Sequence, residues 1–316
     1  MKILVTGSSG HLGEALMRVL REEGKHVLGI DILPSSYTDQ VGSISDRQFV
    51  KENMRGVTHV LHTATLHKPH VATHEQLLFI DTNITGTLNL LEASVENEVR
   101  SFIFTSTTST FGDALTPGPD SPAAWITEDV VPIPKNIYGV TKTAAEDLCQ
   151  LFYRNHHLPC LVLKTSRFFP EEDDDPVIAT SYADANIKAN EYLYRRVDTE
   201  DVVSAHLLAM EKAPQIGFGK YIISATTPFQ QDHLMALRNN AYEVVKSLYS
   251  EFESVYENLG WKMFPSIGRV YVNRKAREEL GWKPKYDFGY ILHQLKAGRN
   301  FKSELAEMIG SKGYHR

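Results

Sequence analysis

The chain opens with a strand, a glycine-rich turn and a helix, and this opening constrains the fold more than any other feature. Residues 2–6 (KILVT) form an apolar run rich in β-branched residues, and residues 12–23 carry apolar side chains at helical spacing. Residues 7–13 read G-x-x-G-x-x-G. Glycines there permit a tight turn and let a pyrophosphate approach backbone amides at the positive end of the helix. The pattern predicts a dinucleotide-binding unit.

An acidic residue ends the second predicted strand. Residues 26–31 read HVLGID and end at Asp31, 18 positions after Gly13. A carboxylate there accepts hydrogen bonds from the two ribose hydroxyls and repels a 2′-phosphate, so we expect NAD rather than NADP. A protonated His11 would weaken this preference for NAD, because a cationic imidazole favours the additional 2′-phosphate of NADP. The expected cofactor contacts of the turn and strand are Gly7, Gly10, His11, Leu12, Gly13 and Asp31.

Strands and helices alternate along the rest of the chain. Apolar strands are predicted at 57–62, 101–106, 158–165 and 220–224, and amphipathic helices at 82–96 and 138–156. Such alternation is typical of a parallel sheet covered on both faces. We predict an α/β protein with a Rossmann-type doubly wound parallel sheet and a smaller interleaved C-terminal substrate cap. The NAD-binding core is assigned to residues 1–166, continued by 197–225, and the cap to 167–196 and 226–316.

A tyrosine and a lysine four residues apart follow a long proline-rich loop at residues 111–135. Tyr138 and Lys142 share one face of the predicted helix. Residues 105–109 place hydroxyls at the carboxyl edge of the sheet, where ligands of such folds bind. A tyrosine acts as a general acid or base if its pKa falls from about 10 toward neutrality, and a nearby ammonium lowers that pKa. The pattern predicts proton transfer coupled to hydride transfer at a carbinol carbon.

Composition excludes several other classes of function. The 316 residues carry a net charge of -6, which gives no reason to expect a nucleic-acid partner. Cys149 and Cys160 form neither a disulfide framework nor a zinc pattern, so we expect free buried thiols in a reducing compartment. No apolar run reaches the roughly 20 residues of a membrane span, and the N-terminus is unlike a signal peptide. We therefore expect a cytoplasmic protein without a membrane partner.

Together these motifs resemble the extended short-chain dehydrogenase/reductase family, of the NAD-dependent sugar epimerase/dehydratase type. The resemblance rests on the glycine turn, Asp31, the hydroxyl cluster before Phe111-Gly112, and the pair of Tyr138 and Lys142. It extends to residues 280–284 (LGWKP), which are similar to the family's C-terminal LGW-x-P segment. The resemblance implies NAD as the cofactor and a small-molecule carbohydrate as the substrate.

The resemblance also implies roles for individual residues. Tyr138 is then the catalytic acid/base, and Lys142 lowers its pKa and binds the nicotinamide ribose. The catalytic hydroxyl falls to Thr107, five residues before Gly112, and Asn83 matches a helix asparagine near the active site. The other implied cofactor contacts are Ser43, Ile44, Thr63, Ala64, Thr65, Thr105 and Phe168. The implied substrate contacts besides Thr107 are His67, Thr108, Phe169 and Arg196.

The chain departs from the family's pattern in three places. Ser43 stands where the family usually has Asp, which puts one adenine contact in doubt. Thr108-Ser109 replaces the Asp-Glu pair of dehydratases, which need an extra acid and base for elimination, and this argues against a dehydratase. Pro170 replaces a substrate-contacting Asn, and the five carboxylates of residues 171–175 follow it. Carboxylates at a cleft mouth disfavour a diphosphate; a solvated loop without a role is the other explanation.

Two further groups of residues have a functional and a structural explanation. His67, His70 and His74 have metal-like spacing, but no carboxylate or cysteine completes a set, so we expect no metal site and assign His67 to the substrate side. Arg195 and Arg196 lie near the position of the family's substrate arginine. Either could grip a carboxylate or phosphate, and structural pairing is the alternative.

Three functions stay open at this point. The first is an NAD-dependent oxidoreductase acting on a sugar or sugar nucleotide by Tyr-assisted hydride transfer, with an epimerase preferred. The second is a dehydrogenase of a free sugar, sugar acid or small alcohol, with net release of NADH. The third is a cofactor-binding or regulatory protein without catalysis, against which the intact Thr107, Tyr138 and Lys142 count. By resemblance alone we also expect a homodimer, formed through the helices that carry Asn83 and Tyr138.

Overall fold

The fold, seen in a computed structural model that describes residues 1–173 and 175–313, is built on a seven-stranded parallel sheet. Its strands are β1 (Lys2–Thr6), β2 (His26–Asp31), β3 (Gln40–Val41), β4 (His59–His62), β5 (Ser101–Thr107), β7 (Cys160–Thr165) and β8 (Phe218–Ile223). They stand in the spatial order β3-β2-β1-β4-β5-β7-β8. A second, two-stranded parallel sheet joins β6 (Ala124–Ile126) to β9 (Arg269–Tyr271).

Helices cover both faces of the large sheet, as the sequence predicts. Those at the sheet are α1 (His11–Glu22), α2 (Arg47–Asn53), α3 (Gln76–Phe79), α4 (Gly86–Glu96), α5 (Ile137–His156) and α8 (Thr199–Ile216). Between α3 and α4 the helix is π-helical over Ile80–Thr85. The remaining helices are α6 (Pro176–Ser181), α7 (Asp184–Glu191), α9 (Leu234–Asn239), α10 (Ala241–Leu248), α11 (Phe252–Leu259), α12 (Phe288–Lys296) and α13 (Glu304–Ile309).

Alternate residues of each strand feed two separate cores, which is what makes the sheet doubly wound. Ile3 and Val5 of β1 pack with α1 and α8, whereas Leu4 between them packs with α2, α4 and α5. Successive strand side chains point to opposite faces, so apolar residues at every position require helices on both sides. The predicted fold class is confirmed in this respect.

The strand order reverses beside β1, because the chain runs outward to β2 and β3 and then returns to β4 on the other side. Thr6 and His62, at the ends of β1 and β4, are in register. In open parallel sheets, ligands bind in the crevice beyond the carboxyl ends of the strands at such a reversal. The topology therefore places the glycine turn at the mouth of that crevice.

The cap has its own apolar core and also packs against elements of the large sheet. Side chains from α7, α9, α10, α11 and α12 form one cluster. However, Trp282, Leu305 and Ile309 pack with α1 and α8 in the core of the large sheet. In addition, β6 lies in the long loop of the predicted core, yet it pairs with β9 of the predicted cap. The predicted core and the predicted cap therefore share strands and packing. Their division at residues 166 and 226 stays a prediction.

Two further expectations concern the thiols and the membrane. Cys149 on α5 and Cys160 on β7 are free and buried, as predicted. Within residues 1–173 and 175–313, no helix is both long and apolar enough to cross a membrane.

Candidate active site

A cleft of about 400 Å³ opens at the carboxyl ends of β1, β4 and β5. Such a volume is in the range of small-molecule sites. Most of the residues predicted for the cofactor and substrate line it together: Gly7, Gly10, His11, Leu12, Gly13, Asp31, Ser43, Ile44, Thr63, Ala64, Thr65, His67, Thr105, Thr107, Thr108, Tyr138, Phe168 and Phe169. Lys142, Asn83 and Arg196 are not among the lining residues.

The glycine turn is built so closely that larger residues would not fit. A Cβ on Gly13 would lie 1.9 Å from the Gly7 carbonyl oxygen. Gly7 has a φ of 71°, and a Cβ there would lie 2.7 Å from the Ala64 amide nitrogen. Gly10 is the N-cap of α1 and offers no side-chain cap. The first amides of α1 therefore remain available to an anion at the positive end of the helix.

Asp31 is held at the edge of the cleft by two backbone amides. Its Oδ2 accepts from the Ser9 amide at 3.0 Å, and its Oδ1 accepts from the Leu33 amide at 2.9 Å. Each carboxylate oxygen has a second lone pair, so the group can still accept from a pair of ribose hydroxyls. The close-fitting turn and this oriented carboxylate together fit the dinucleotide expected from the sequence.

Tyr138 and Thr107 form the hydroxyl pair at the sheet end of the cleft. Both side chains are largely buried, and both line the cleft. Burial raises the pKa of Tyr138 to about 12, and the hydrogen bond with the Thr107 hydroxyl lowers it only in part. In the chain alone the pKa of Tyr138 therefore lies above its ordinary value, and its fall toward neutrality during catalysis stays a prediction. The Tyr138 side chain is a protonated phenol at neutral pH.

Lys142, the predicted cationic partner of Tyr138, is itself affected by burial. The lysine is buried one helical turn after Tyr138, and its Nζ donates to the Thr105 carbonyl at 2.7 Å. Burial lowers the pKa of Lys142 to about 7. The ammonium is thus only partly populated at neutral pH, and it supports the phenolate less than a fully charged lysine would.

Asn83 lies behind the cleft, in the π-helical segment, where its side chain makes four hydrogen bonds. Its Nδ2 donates to the Thr141 hydroxyl and the Leu66 carbonyl, each at 3.0 Å. Its Oδ1 accepts from the Leu66 amide and the Thr65 hydroxyl, each at 2.9 Å. These bonds tie the loop after β4 to α5, and the catalytic role of Asn83 stays a prediction.

The predicted substrate contact Arg196 is placed elsewhere. It is almost fully buried, its Nε donates to Glu191 Oε2 at 2.7 Å, and its Nη1 donates to the Phe169 carbonyl at 3.0 Å. Its neighbour Arg195 lines the cleft instead. Both arginines pair with Glu191 and only Arg195 also lines the cleft, so spacing along the sequence could not decide between them.

Sequence reasoning missed three cleft residues that come from distant segments: Arg269, Tyr271 and Lys312. Arg269 and Tyr271 are brought to the cleft by β9, whose Tyr271 amide donates to the Tyr194 carbonyl at 3.0 Å. Nothing in the local sequence signals this contact, because it depends on the pairing of β6 with β9. The Nε of Arg269 is buried and has no hydrogen-bond partner among the described residues.

Two carboxylates of the acidic run, Glu171 and Asp173, are paired with basic side chains, while Glu172 and Asp175 are exposed. Glu171 Oε1 lies 2.7 Å from His11 Nε2, and Asp173 Oδ2 lies 2.6 Å from Arg167 Nη1. Burial opposes ionisation of Glu171, but the hydrogen bond and charge of His11 lower its pKa to about 2. The charge of this run is therefore compensated at both residues, which removes much of the predicted repulsion of a diphosphate. Asp174 lies outside the described residues.

The three histidines of the predicted metal-like spacing line the cleft, and their rings contact one another edge-on or tilted. The ring centroids of His67 and His70 are 4.5 Å apart, and those of His70 and His74 are 4.7 Å apart. The His67 ring also lies 6.1 Å from that of Phe169. Within residues 1–173 and 175–313, no group of three His, Cys, Asp or Glu side chains is placed to hold a metal ion.

Comparison with protein families gives one match over most of the chain. The model of the NAD dependent epimerase/dehydratase family matches residues 3–223. This range runs from β1 to the end of β8 and so includes the complete large sheet.

Individual proteins and structures are similar as well. The chain is 30% identical to a UDP-glucose 4-epimerase of Halalkalibacterium halodurans, over 90% of this chain and 91% of that protein. It is also 30% identical to the uncharacterized UDP-glucose epimerase YtcB of Bacillus subtilis, but over only 54% of this chain and 56% of that protein. The solved UDP-glucose 4-epimerase of Thermotoga maritima superposes with a TM-score of 0.64 at 27% identity, covering 94% of this chain and 96% of that one.

Proposed function

The chain belongs to the NAD-dependent epimerase/dehydratase family, and on that premise we propose that it epimerises one carbinol carbon of a nucleotide-linked sugar. Membership confirms the expectations of an NAD-dependent enzyme of the epimerase type on an α/β fold. The proposal goes further, because it assigns a substrate class and residue roles.

The observation that carries the proposal is the hydroxyl pair of Tyr138 and Thr107 in the cleft, with Lys142 one helical turn behind it. A reacting hydroxyl group needs one partner that exchanges its proton and one that holds its oxygen. The two hydroxyls supply these functions on the same side of the cleft, opposite the glycine turn.

NAD, held by the glycine turn and Asp31, would supply the hydride acceptor for oxidation of the carbinol carbon and, once reduced, the hydride donor for its re-reduction. The phenolate form of Tyr138, the minor form at neutral pH, takes the proton of the substrate hydroxyl during oxidation, and the resulting phenol returns it after the sugar has presented its other face. Thr107 donates a hydrogen bond to the same substrate oxygen and keeps it in reach of the phenol. Lys142 supplies positive charge that stabilises the phenolate of Tyr138. Thr108 and Ser109 offer no carboxylate for the elimination step of a dehydratase.

A nucleotide-linked sugar is supported by two arginines at the cap side of the cleft. Arg195 and Arg269 line it, and guanidinium groups bind phosphate oxygens through paired hydrogen bonds. The Nε of each arginine is buried without a hydrogen-bond partner among the described residues, but Arg195 also forms ion pairs with Glu191 at 2.6 Å and Asp173 at 3.4 Å, whereas Arg269 forms none there. Arg269 is therefore the better candidate for the phosphate. The relatives named above act on UDP-glucose, which is the first substrate to try.

A dehydrogenase of a free sugar or sugar acid remains the alternative. It is favoured by Pro170, which stands in place of the family's substrate asparagine next to the substrate-side Phe169. Loss of that amide changes the sugar side of the cleft, while the cofactor side is intact.

The homodimer and the cytoplasmic location belong to this proposal too. Two neighbouring helical segments expose apolar side chains, which favours a second copy of the chain as their cover. The exposed apolar side chains of these segments are Leu77, Leu78, Ile80, Val140 and Leu151. Free thiols at Cys149 and Cys160 are consistent with a reducing compartment such as the cytoplasm.

The test is a substrate panel read by NMR and by absorbance of NADH. The proposal expects UDP-glucose or a related sugar nucleotide to give its epimer without accumulation of NADH, and the purified protein to retain NAD. If sugar nucleotides give no isomer while free sugars or sugar acids generate NADH, the epimerase assignment fails and the dehydrogenase takes its place.

A further inference from the structure

A buried carboxylate lies beneath the catalytic end of the sheet, outside the cleft. Glu146 of α5 is fully buried and does not line the cleft. Its Oε1 accepts from Ser106 Oγ at 2.5 Å and from Lys164 Nζ at 2.7 Å, and Lys220 Nζ lies 3.1 Å from its Oε2. Burial opposes ionisation, but the two lysines hold the pKa of Glu146 below its usual value. A buried charge is costly unless paired in this way.

The same ion pair holds the end of β5 from two sides. Ser106, the partner of Glu146, lies between Thr107 and Thr105, the residue whose carbonyl accepts from Lys142. On the far side, Lys164 Nζ donates to Thr110 Oγ1 at 2.6 Å. Thr110 Oγ1 in turn donates to the Thr107 carbonyl at 2.9 Å. Both backbone flanks of the catalytic hydroxyl are therefore bonded to one buried pair.

We propose that Glu146 and Lys164 are positioning residues that fix the end of β5 and thereby aim the Thr107 hydroxyl at Tyr138. Neither touches the cleft, so they act only through the strand. The expected effect on turnover rests on the proposed function. The expected effect on the mobility of the β5 backbone does not. Loosening the pair frees the backbone around Thr107 and moves its hydroxyl away from the phenol.

The variant Glu146→Gln keeps the shape of the side chain and removes its charge. We expect hydrogen exchange of the protein without added substrate to accelerate at least about tenfold in the peptide 104–111, while exchange in β1 and β2 is unchanged. We expect kcat to fall about 10- to 100-fold with KM and NAD affinity within about threefold, because a misplaced catalytic group lowers turnover rather than binding. Asp147→Asn is the matched control: its carboxylate is on the same helix but exposed.

Two further variants keep the test decisive if Glu146→Gln does not fold. Ser106→Ala removes one hydrogen bond and leaves the ion pair. It should show a smaller increase in hydrogen exchange at 104–111 and a smaller decrease in kcat. Lys164→Arg keeps the charge and should stay near wild type, whereas Lys164→Met should behave as Glu146→Gln. Unchanged exchange at 104–111 in the folded variants, or equal loss in Lys164→Arg and Lys164→Met, would overturn the proposal. Faster exchange in a protein whose wild type epimerises nothing would leave the positioning inference intact and refute the proposed function.

Discussion

The imidazole of His11 and the carboxylate of Glu171 lie 2.7 Å apart, Nε2 to Oε1, and join the glycine turn to the loop after β7. The same carboxylate oxygen accepts from the Ser311 hydroxyl at 3.0 Å and the Lys312 amide at 3.1 Å. Lys312 also forms an ion pair with Glu14 of α1. The C-terminal segment, the acidic loop and the dinucleotide turn thus meet at one carboxylate.

Glu171→Gln should lower the free energy of unfolding at pH 7 by about 1 kcal/mol, because a part-buried ion pair with several hydrogen bonds is lost. The folded-state pKa of Glu171 is about 2, below the ordinary 4.5. Its contribution is therefore complete above pH 4.5 and is lost as the pH falls toward 2. Urea unfolding of both proteins at pH 7, 5 and 3 should show a difference that narrows only in the last step. A difference that stays constant, or that appears equally in the exposed Glu172→Gln, would contradict this assignment.

Gly13→Ala should damage the turn far more than Gly10→Ala. The added Cβ would meet the Gly7 carbonyl oxygen at 1.9 Å in the first case and at 3.3 Å in the second. The backbone must move to accept Gly13→Ala, so we expect about 3 kcal/mol of destabilisation and loss of measurable NAD binding. Gly10→Ala should cost about 1 kcal/mol or less. Thermal unfolding with and without NAD measures both effects, and similar behaviour of the two variants would refute the geometry.

Asp31→Ala should narrow the discrimination between NAD and NADP. The carboxylate that accepts from ribose hydroxyls is lost, and so is its repulsion of a 2′-phosphate. We expect NAD affinity to fall about tenfold and NADP affinity to rise, which fluorescence titration of the reduced cofactors would measure. An unchanged affinity ratio would show that specificity resides elsewhere in the cleft.

Arg269→Gln should raise KM for a sugar nucleotide about 10- to 100-fold and change kcat less than about threefold, because the guanidinium binds a part of the substrate that does not react. Arg274→Gln, five residues later and exposed, is the control. Equal KM values for Arg269→Gln and Arg274→Gln would show that Arg269 does not bind the phosphate of the substrate.

The sequence could predict a site residue where its own segment determines its position. It could not where contacts between distant segments place the residue in the cleft. The glycine turn, Asp31, Thr107 and Tyr138 were predictable, because each lies at the end of a strand or the start of a helix that its own segment specifies. The cofactor half of the cleft consists of such residues.

The cap half was not predictable from local pattern. Arg269 reaches the cleft only because β6 pairs with β9 across more than a hundred residues of chain. Spacing could not decide between Arg196 and Arg195, because both side chains pair with Glu191 and only Arg195 also lines the cleft. The pairing of Glu171 with His11 could not be predicted from local pattern, because the two residues lie 160 positions apart in the sequence. Burial also set the pKa of Tyr138, and burial cannot be read from the spacing of Tyr138 and Lys142.

The measurement that tests the central claim most directly is the rate of epimer formation by Tyr138→Phe, compared with wild type at equal NAD occupancy. The substitution removes one hydroxyl and keeps the ring that fills the site. The account predicts that kcat falls by several orders of magnitude, about 10³-fold or more, while NAD affinity changes little, because the proton of the substrate hydroxyl then has no acceptor. Turnover near the wild-type rate would contradict the assignment of Tyr138 as the acid/base and, with it, the mechanism proposed for this cleft.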